Sequence, residues 1–263
     1  MKLAEILPPQ NITSRDNHLV KDFRRLAQDS GAYRKQGRVW IEGDHLCRAA
    51  LERGVTPAMA VFTESGWESA HGFRLRAPGR NIIVSTALMA HVSGLESPAD
   101  MAFVVELPAV SELQPDAPAV VLDRVQDAGN VGSILRSAAA FGFGQVLAIK
   151  GTALLWSPKV LRAGMGAHFG LRLVEGLTPD SLQALKVPLL VTSSHEGEYL
   201  HRSVLPWPCA WVMGHEGQGV GAALTERASQ FVRIAQPGGE ESLNVAAAAA
   251  ICLHASAATQ ATA

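Results

Sequence analysis

Short apolar runs rich in β-branched side chains recur along the chain and read as buried strands. Beyond residue 118 they predict strands at 119–124, 145–149, 171–174, 188–193, 209–213 and 231–235. Between them, apolar residues at helical spacing predict helices at 131–141, 158–166, 179–186, 220–229 and 243–258. Strands joined by helices imply a mostly parallel sheet covered on both faces. Nearer the start the alternation is looser, with helices predicted at 17–27 and 46–51 and strands at 39–41, 58–62, 82–84 and 101–107. That makes a small α/β layer structure. Residues 108–118, PAVSELQPDAP, hold three prolines and little apolar content, as a linker does. The expected division is therefore 1–107, a linker at 108–118, and 119–263. No internal repeat is visible.

The stretch NVGSILRSAAAFG, residues 130–142, follows the first strand of the second part. Asn130 stands where a helix N-cap is expected, and Val131, Ile134, Leu135, Ala138 and Phe141 form one apolar face behind it. Arg136 lies off that face beside Ser133, Ser137 and Ala140. Two readings fit these residues: an ordinary strand–helix unit with a surface arginine, or a site at a strand's carboxyl end.

At 263 residues and 48% hydrophobic, the chain can bury one large core or two modest ones. Its net charge of −1 excludes a polycation. Locally, however, Arg15, Lys21, Arg24, Arg25, Arg34, Lys35 and Arg38 outnumber Asp16, Asp22 and Asp29. This basic excess is either a solvated helix face or a contact for RNA phosphates. Cys47, Cys209 and Cys252 are sparse and lack metal-ligand spacing, so no metal and a reducing compartment are expected. MKLAEILPPQ is too short in apolar content for a signal peptide, and the run 245–253 falls well short of the ~20 residues of a membrane span. The expectation is a soluble, cytoplasmic protein without membrane contact.

Two further loops hold candidate chemistry. In WVMGHEGQGV, residues 211–220, a buried strand runs into Gly214, Gly217 and Gly219, whose freedom lets a ligand approach the backbone. The spacing is not that of a dinucleotide loop, and Glu216 would repel a pyrophosphate, so a neutral or cationic ligand fits better. In IAQPGGEESLNVAA, residues 234–247, a Pro-Gly-Gly turn precedes a helix, with Ser242 read as its N-cap and Asn244 supplying a donor and an acceptor. His168 and His254 read as structural, and His215 is not read as catalytic. The alanine-rich helix that follows is either packed tightly against its surroundings or exposed.

Taken together, the three loops resemble the SpoU (TrmH-like) family of RNA ribose 2′-O-methyltransferases, within the SPOUT superfamily. Asn130, Gly132, Arg136, Ala138, Phe141 and Gly142 match the first family motif, and Gly214, Glu216 and Gly219 the second. Ile234, Glu241, Ser242, Leu243, Asn244 and Val245 match the third, with Ala235 and Gln236 in place of the usual Pro-Met. Between them, KVLRAGMGAHF is similar to a family segment in which serine is frequent at the position of Gly164. The resemblance covers residues 118–258. More loosely, residues 14–110 are similar to the ribosomal-protein-type RNA-binding domain that precedes many such catalytic domains.

The resemblance implies a trefoil knot in the second domain, a homodimer, and transfer of a methyl group from S-adenosylmethionine to a ribose 2′-hydroxyl. The cofactor would contact Gly214, Ile234 and Leu243, with Thr192 or Ser193 lining the same pocket. Arg136 would grip the phosphate beside the target hydroxyl, since a guanidinium carries N–H donors and no acceptor for a proton. Asn130 and Asn244 would position the hydroxyl or the loops. Ser242 would orient Arg136 or the ribose, and Glu216 would fix the loops. Arg15, Lys21, Arg34 and Arg38 are the candidate RNA contacts. The implied substrate is 23S ribosomal RNA; alternatives are transfer RNA, or a catalytically silent RNA-binding protein of ribosome assembly.

Overall fold

The computed structural model describes residues 8–69, 75–77, 79–108, 112–193, 195–238 and 242–261. The chain forms two compact units, one of Met1–Ala109 with Trp156–Phe169, the other of Val110–Leu155 with Gly170–Ala263.

The first unit is built on strands β1 (Gln10–Ile12), β2 (Arg38–Glu42), β3 (Met59–Phe62), β4 (Arg80–Val84) and β5 (Met101–Glu106), in the order β1-β4-β3-β5-β2. β1, β4 and β3 run parallel, and β5 lies antiparallel between β3 and β2. Helix α1 (His18–Gln28) starts at Asn17, whose side chain accepts from the Leu19 N–H at 2.9 Å. Leu19, Val20, Phe23, Leu26 and Ala27 turn one face of α1 into the core, where the Phe23 ring lies 5.4 Å from that of Trp40. Burying each of the larger side chains contributes about 1.5–3 kcal/mol, and the opposite face is left to Lys21, Arg24 and Arg25. The remaining helices here are α2 (Ala32–Gln36), α3 (Asp44–Glu52), α4 (Glu64–Glu68) and α5 (Thr86–Val92). Of these only α3 was legible from spacing. The others are five to seven residues long, too short to show a helical period.

The second unit carries β6 (Ala119–Leu122), β7 (Gln145–Ile149), β8 (Arg172–Leu177), β9 (Leu189–Thr192), β10 (Glu198–Tyr199), β11 (Ala210–Met213) and β12 (Gln230–Arg233). They form one sheet in the order β10-β12-β9-β11-β6-β7-β8, every pair parallel. All carboxyl ends therefore face the same edge, and the loops leaving β6, β9, β11 and β12 meet there.

Helix α6 (Ala128–Ala140) follows β6. Its cap is Asp127, which accepts the Asn130 N–H at 2.7 Å, so the expectation that Asn130 is the N-cap is corrected: Asn130 sits inside the first turn with its side chain free for other partners. Helix α7 (Pro158–Gly164), between β7 and β8 in sequence, belongs to the first unit, with Val160 and Leu161 fully buried. The helix expected at 179–186 is a 3-10 segment, Pro179–Ala184, and the one expected at 220–229 shrinks to α8 (Ala222–Thr225) because Gly219 and Gly221 delay its start. The last helix, α9 (Val245–Ala261), is capped by Asn244, whose oxygen accepts from the Ala246 and Ala247 N–H groups at 2.9 and 3.2 Å; the N-cap reading of Ser242 is corrected in the same way.

α9 packs on α6 and β11. Ala249, Cys252, Leu253 and Ser256 form its buried side, and Ser256 accepts from the indole N–H of fully buried Trp211 at 2.9 Å. Burial pushes the thiols up, Cys209 to about 11 and Cys252 to about 12, which leaves both as inert core groups. No described helix is long and apolar enough to cross a membrane.

Candidate active site

Three of the loops at the sheet edge are tied by a side-chain relay. Asn244, at the start of α9, donates its amide N–H to the Asn130 oxygen at 2.9 Å. Asn130 in turn donates to Glu216 Oε1 at 3.1 Å. The two Glu216 oxygens also accept the backbone N–H groups of Asp127 at 3.1 Å and Gln126 at 3.2 Å. Burial acts to raise the Glu216 pKa, but hydrogen bonds from its own backbone, the Asn130 amide and the Asp127 and Gln126 backbones outweigh it and hold the carboxyl below its ordinary value. The result is an ionised clasp joining the start of α6, the loop after β11 and the start of α9.

The loop after β11 is shaped from within. His215 and Gly219 pair across it, and His215 Nδ1 accepts the N–H groups of Gly217 and Gln218 at 2.9 and 3.2 Å. Gly214 has no room for a side chain, since a Cβ there would lie 2.4 Å from the backbone of Gly219 and Val220. The far end of the loop is held by residues the sequence reading missed. Asp123, 3% exposed at the end of β6, accepts the Gly221 N–H at 2.7 Å and both Nε and Nη2 of Arg124, at 2.9 and 3.0 Å. Arg124 completes the brace by donating Nη1 to Gln218 at 3.0 Å. An Asp-Arg pair ending a strand is the only sequence sign of this arrangement.

These loops enclose a cavity of about 650 Å³, within the usual range for small-molecule sites of about 300–1,000 Å³. Thr192, Ser193, Gly214, Glu216, Ile234, Ser242, Leu243 and Asn244 all line it. So does Gln236, which the sequence reading treated only as a departure from the family pattern; its Oε1 is buried and has no partner among the described residues. Arg136 does not line the cavity, is exposed on α6, and has no hydrogen-bonding or ionic partner among the described residues. Glu241 lies outside the described residues.

In the first unit, Arg15 and Lys21 line a separate cleft of about 600 Å³ with Arg24, Arg25, Gln28 and His91. Asp16, 3.3 Å from Lys21, offsets part of that charge. Desolvation, then the nearby Arg24 and Arg15 charges, lower the His91 pKa. The other two basic candidates lie elsewhere: Arg38 pairs with Asp22 at 3.5 Å, and Arg34 lies over the Tyr33 ring at 5.7 Å.

The profile of the SpoU rRNA methylase family matches residues 117–254, more than half of the chain and all three tied loops. The chain belongs to the SpoU rRNA methylase family. Residues 17–102 match the MRM3-like substrate binding domain. Among relatives, 23S rRNA (guanosine(2553)-2′-O)-methyltransferase RlmP of Bacillus subtilis is 31% identical over 249 residues, covering 93% of this chain and 98% of that protein. A solved RNA 2′-O ribose methyltransferase is 30% identical, with a TM-score of 0.79 over 97% of this chain and all of that one. An AdoMet-bound rRNA methyltransferase from Sinorhizobium meliloti is 27% identical, with a TM-score of 0.80 over 95% of this chain and 98% of that one.

The SpoU cavity in this chain suits S-adenosylmethionine. It is large enough, its Glu216 charge tolerates a sulfonium, and the buried Gln236 oxygen is an unpaired acceptor for an amine.

Proposed function

We propose that this chain methylates a ribose 2′-hydroxyl of 23S ribosomal RNA in the cytoplasm, using S-adenosylmethionine, with 119–263 as the catalytic part and 1–107 as the part that grips RNA. The observation that carries this reading is the Asn244–Asn130–Glu216 relay, which ties the three family motifs around one cavity. Support for ribosomal RNA comes from relatives named for it that match over both units rather than over the catalytic part alone.

When bound, S-adenosylmethionine supplies an electrophilic methyl on a sulfonium. The residues of the chain then have separable tasks. Glu216, Asn130 and Asn244 are committed to one another and so fix the loops that hold donor and acceptor in line. Gly214, Ile234, Leu243, Thr192 and Ser193 form the walls. Arg136, with no partner among the described residues, is available to grip the phosphate beside the target ribose and stabilise the developing alkoxide. Ser242, exposed on the cavity lining, is placed to orient the sugar. Arg15 and Lys21, joined by Arg24 and Arg25 and partly offset by Asp16 and Asp29, give the RNA backbone a cleft with a basic excess.

The same reading includes the family's trefoil knot and a homodimer. A groove of about 580 Å³ lined by Leu200, Ile234, Ala250, Ile251 and His254 runs along α9, and Ile251 stays 40% exposed there. A second copy would cover it.

The test is tritiated methyl incorporation into ribosomal RNA, with the modified ribose mapped by mass spectrometry. Arg136→Lys keeps the charge but loses the planar fork, and is expected to lower the methyl-transfer rate by at least about tenfold while leaving cofactor affinity in place. Transfer at the wild-type rate would remove Arg136 from the mechanism.

A further inference from the structure

We propose that Gln236 is a ligand-binding residue whose buried side-chain oxygen accepts a hydrogen bond from a primary amine or ammonium of the molecule held in the cavity. The identity of that molecule as S-adenosylmethionine rests on the function proposed above; the geometry of the acceptor does not.

Gln236 stands three positions beyond the end of β12 and lines the cavity with Ile234, Ser242 and Leu243. Its Oε1 is shielded from solvent and receives no hydrogen bond from the described residues. Buried carboxamide oxygens are rarely left so, and because the side chain lines a ligand cavity, a turn about its last torsion brings that oxygen to a donor of the ligand.

The neighbouring carboxylate and carboxamide acceptors are already engaged. Glu216 receives three N–H groups. Asn244 Oδ1 receives the N–H groups of Ala246 and Ala247. Gln218 Oε1 receives Arg124, and Ser193 Oγ receives the N–H groups of His195 and Glu196. Among the described carboxylate and carboxamide oxygens of the cavity, Gln236 Oε1 is the one not yet used. A ligand carrying N–H donors therefore has one unpaired carboxamide oxygen to meet among the described residues, and it is at this position. A branched apolar side chain such as leucine would occupy much of the space without that contact.

S-adenosylmethionine offers two such donors, the purine amine and the ammonium of its amino-acid end. Titration calorimetry on the full chain separates them with three probes: S-adenosylmethionine, 5′-methylthioadenosine, which lacks the ammonium, and 5′-methylthioinosine, which also lacks the purine amine. Gln236→Leu is expected to weaken S-adenosylmethionine binding roughly 5- to 30-fold, while the ligand-free protein melts at the same temperature or higher because a buried unpaired oxygen is gone. An equal loss for 5′-methylthioadenosine but none for 5′-methylthioinosine assigns the bond to the purine amine. A loss confined to S-adenosylmethionine assigns it to the ammonium.

Gln236→Glu keeps an acceptor and should bind more tightly than Gln236→Leu, which guards against a variant that simply packs badly. Unchanged affinity in Gln236→Leu overturns the proposal. So does a parallel fall of affinity and melting temperature in both variants, since that marks a structural role. Wild-type protein that binds no S-adenosylmethionine overturns the functional reading along with it.

Discussion

Arg124 occupies backbone that favours glycine, with φ at 60°. The left-handed conformation costs a non-glycine residue about 1–2 kcal/mol. Against that stands its two-point bond to Asp123, a carboxylate only 3% exposed, and removing one partner of a buried pair costs about 3–5 kcal/mol. Arg124 itself is about a third exposed, which reduces that figure. The pairing still outweighs the strain. Arg124→Gly should therefore lose roughly 1–3 kcal/mol in denaturant unfolding, despite the relieved backbone; a gain in stability would show that strain dominates. Beyond that Asp-Arg pair the sequence pattern does not announce this brace, because Asp123 and Gly221 are 98 positions apart and meet only through the sheet.

At the scale of the element, the first turn of α6 decides how the site is assembled. Asp and Asn are nearly equal as caps, and Ala128-Gly129 carries no apolar signal, so sequence reading starts the helix three residues late. With Asp127 in that role, the Asn130 side chain is released to join Glu216 and Asn244. The start of α9 shows the same ambiguity between Ser242 and Asn244. In both places the family resemblance implied a loop-positioning task that spacing alone does not separate from capping, since a side chain that caps and one that bridges loops look alike in one dimension. Asp127→Ala should cost about 1 kcal/mol of stability and also weaken S-adenosylmethionine binding, because the Asn130 relay starts from that turn. Calorimetry and unfolding on the same variant check both; weakened stability with unchanged affinity would separate the cap from the site.

For the molecule as a whole, the strands were the legible part. The six expected in the second unit all exist because continuous β-branched runs suit a parallel sheet buried on both faces, and the strands that escaped notice are the three-residue β1 and the two-residue β10. Short helices escaped because a period needs length to show. The alanine-rich α9 combines tight packing with exposure: Ala249, Cys252 and Leu253 are buried, while Ile251 is 40% exposed. If that face is where two copies meet, Ile251→Glu should shift the protein to monomers in sedimentation velocity while leaving its thermal unfolding cooperative. A dimer that survives the charge would place the contact elsewhere.

Helix α7 has a consequence for anyone who would dissect this chain. It is encoded amid the strands of one unit and buried in the other, with Val160 and Leu161 shut away from water. A single scission in the proline-rich connector thus yields no pair of self-sufficient fragments. The C-terminal piece would display a greasy helix stripped of its neighbours, and the N-terminal piece would carry an unfilled hollow in its core. Covalent order and architectural membership diverge at this point.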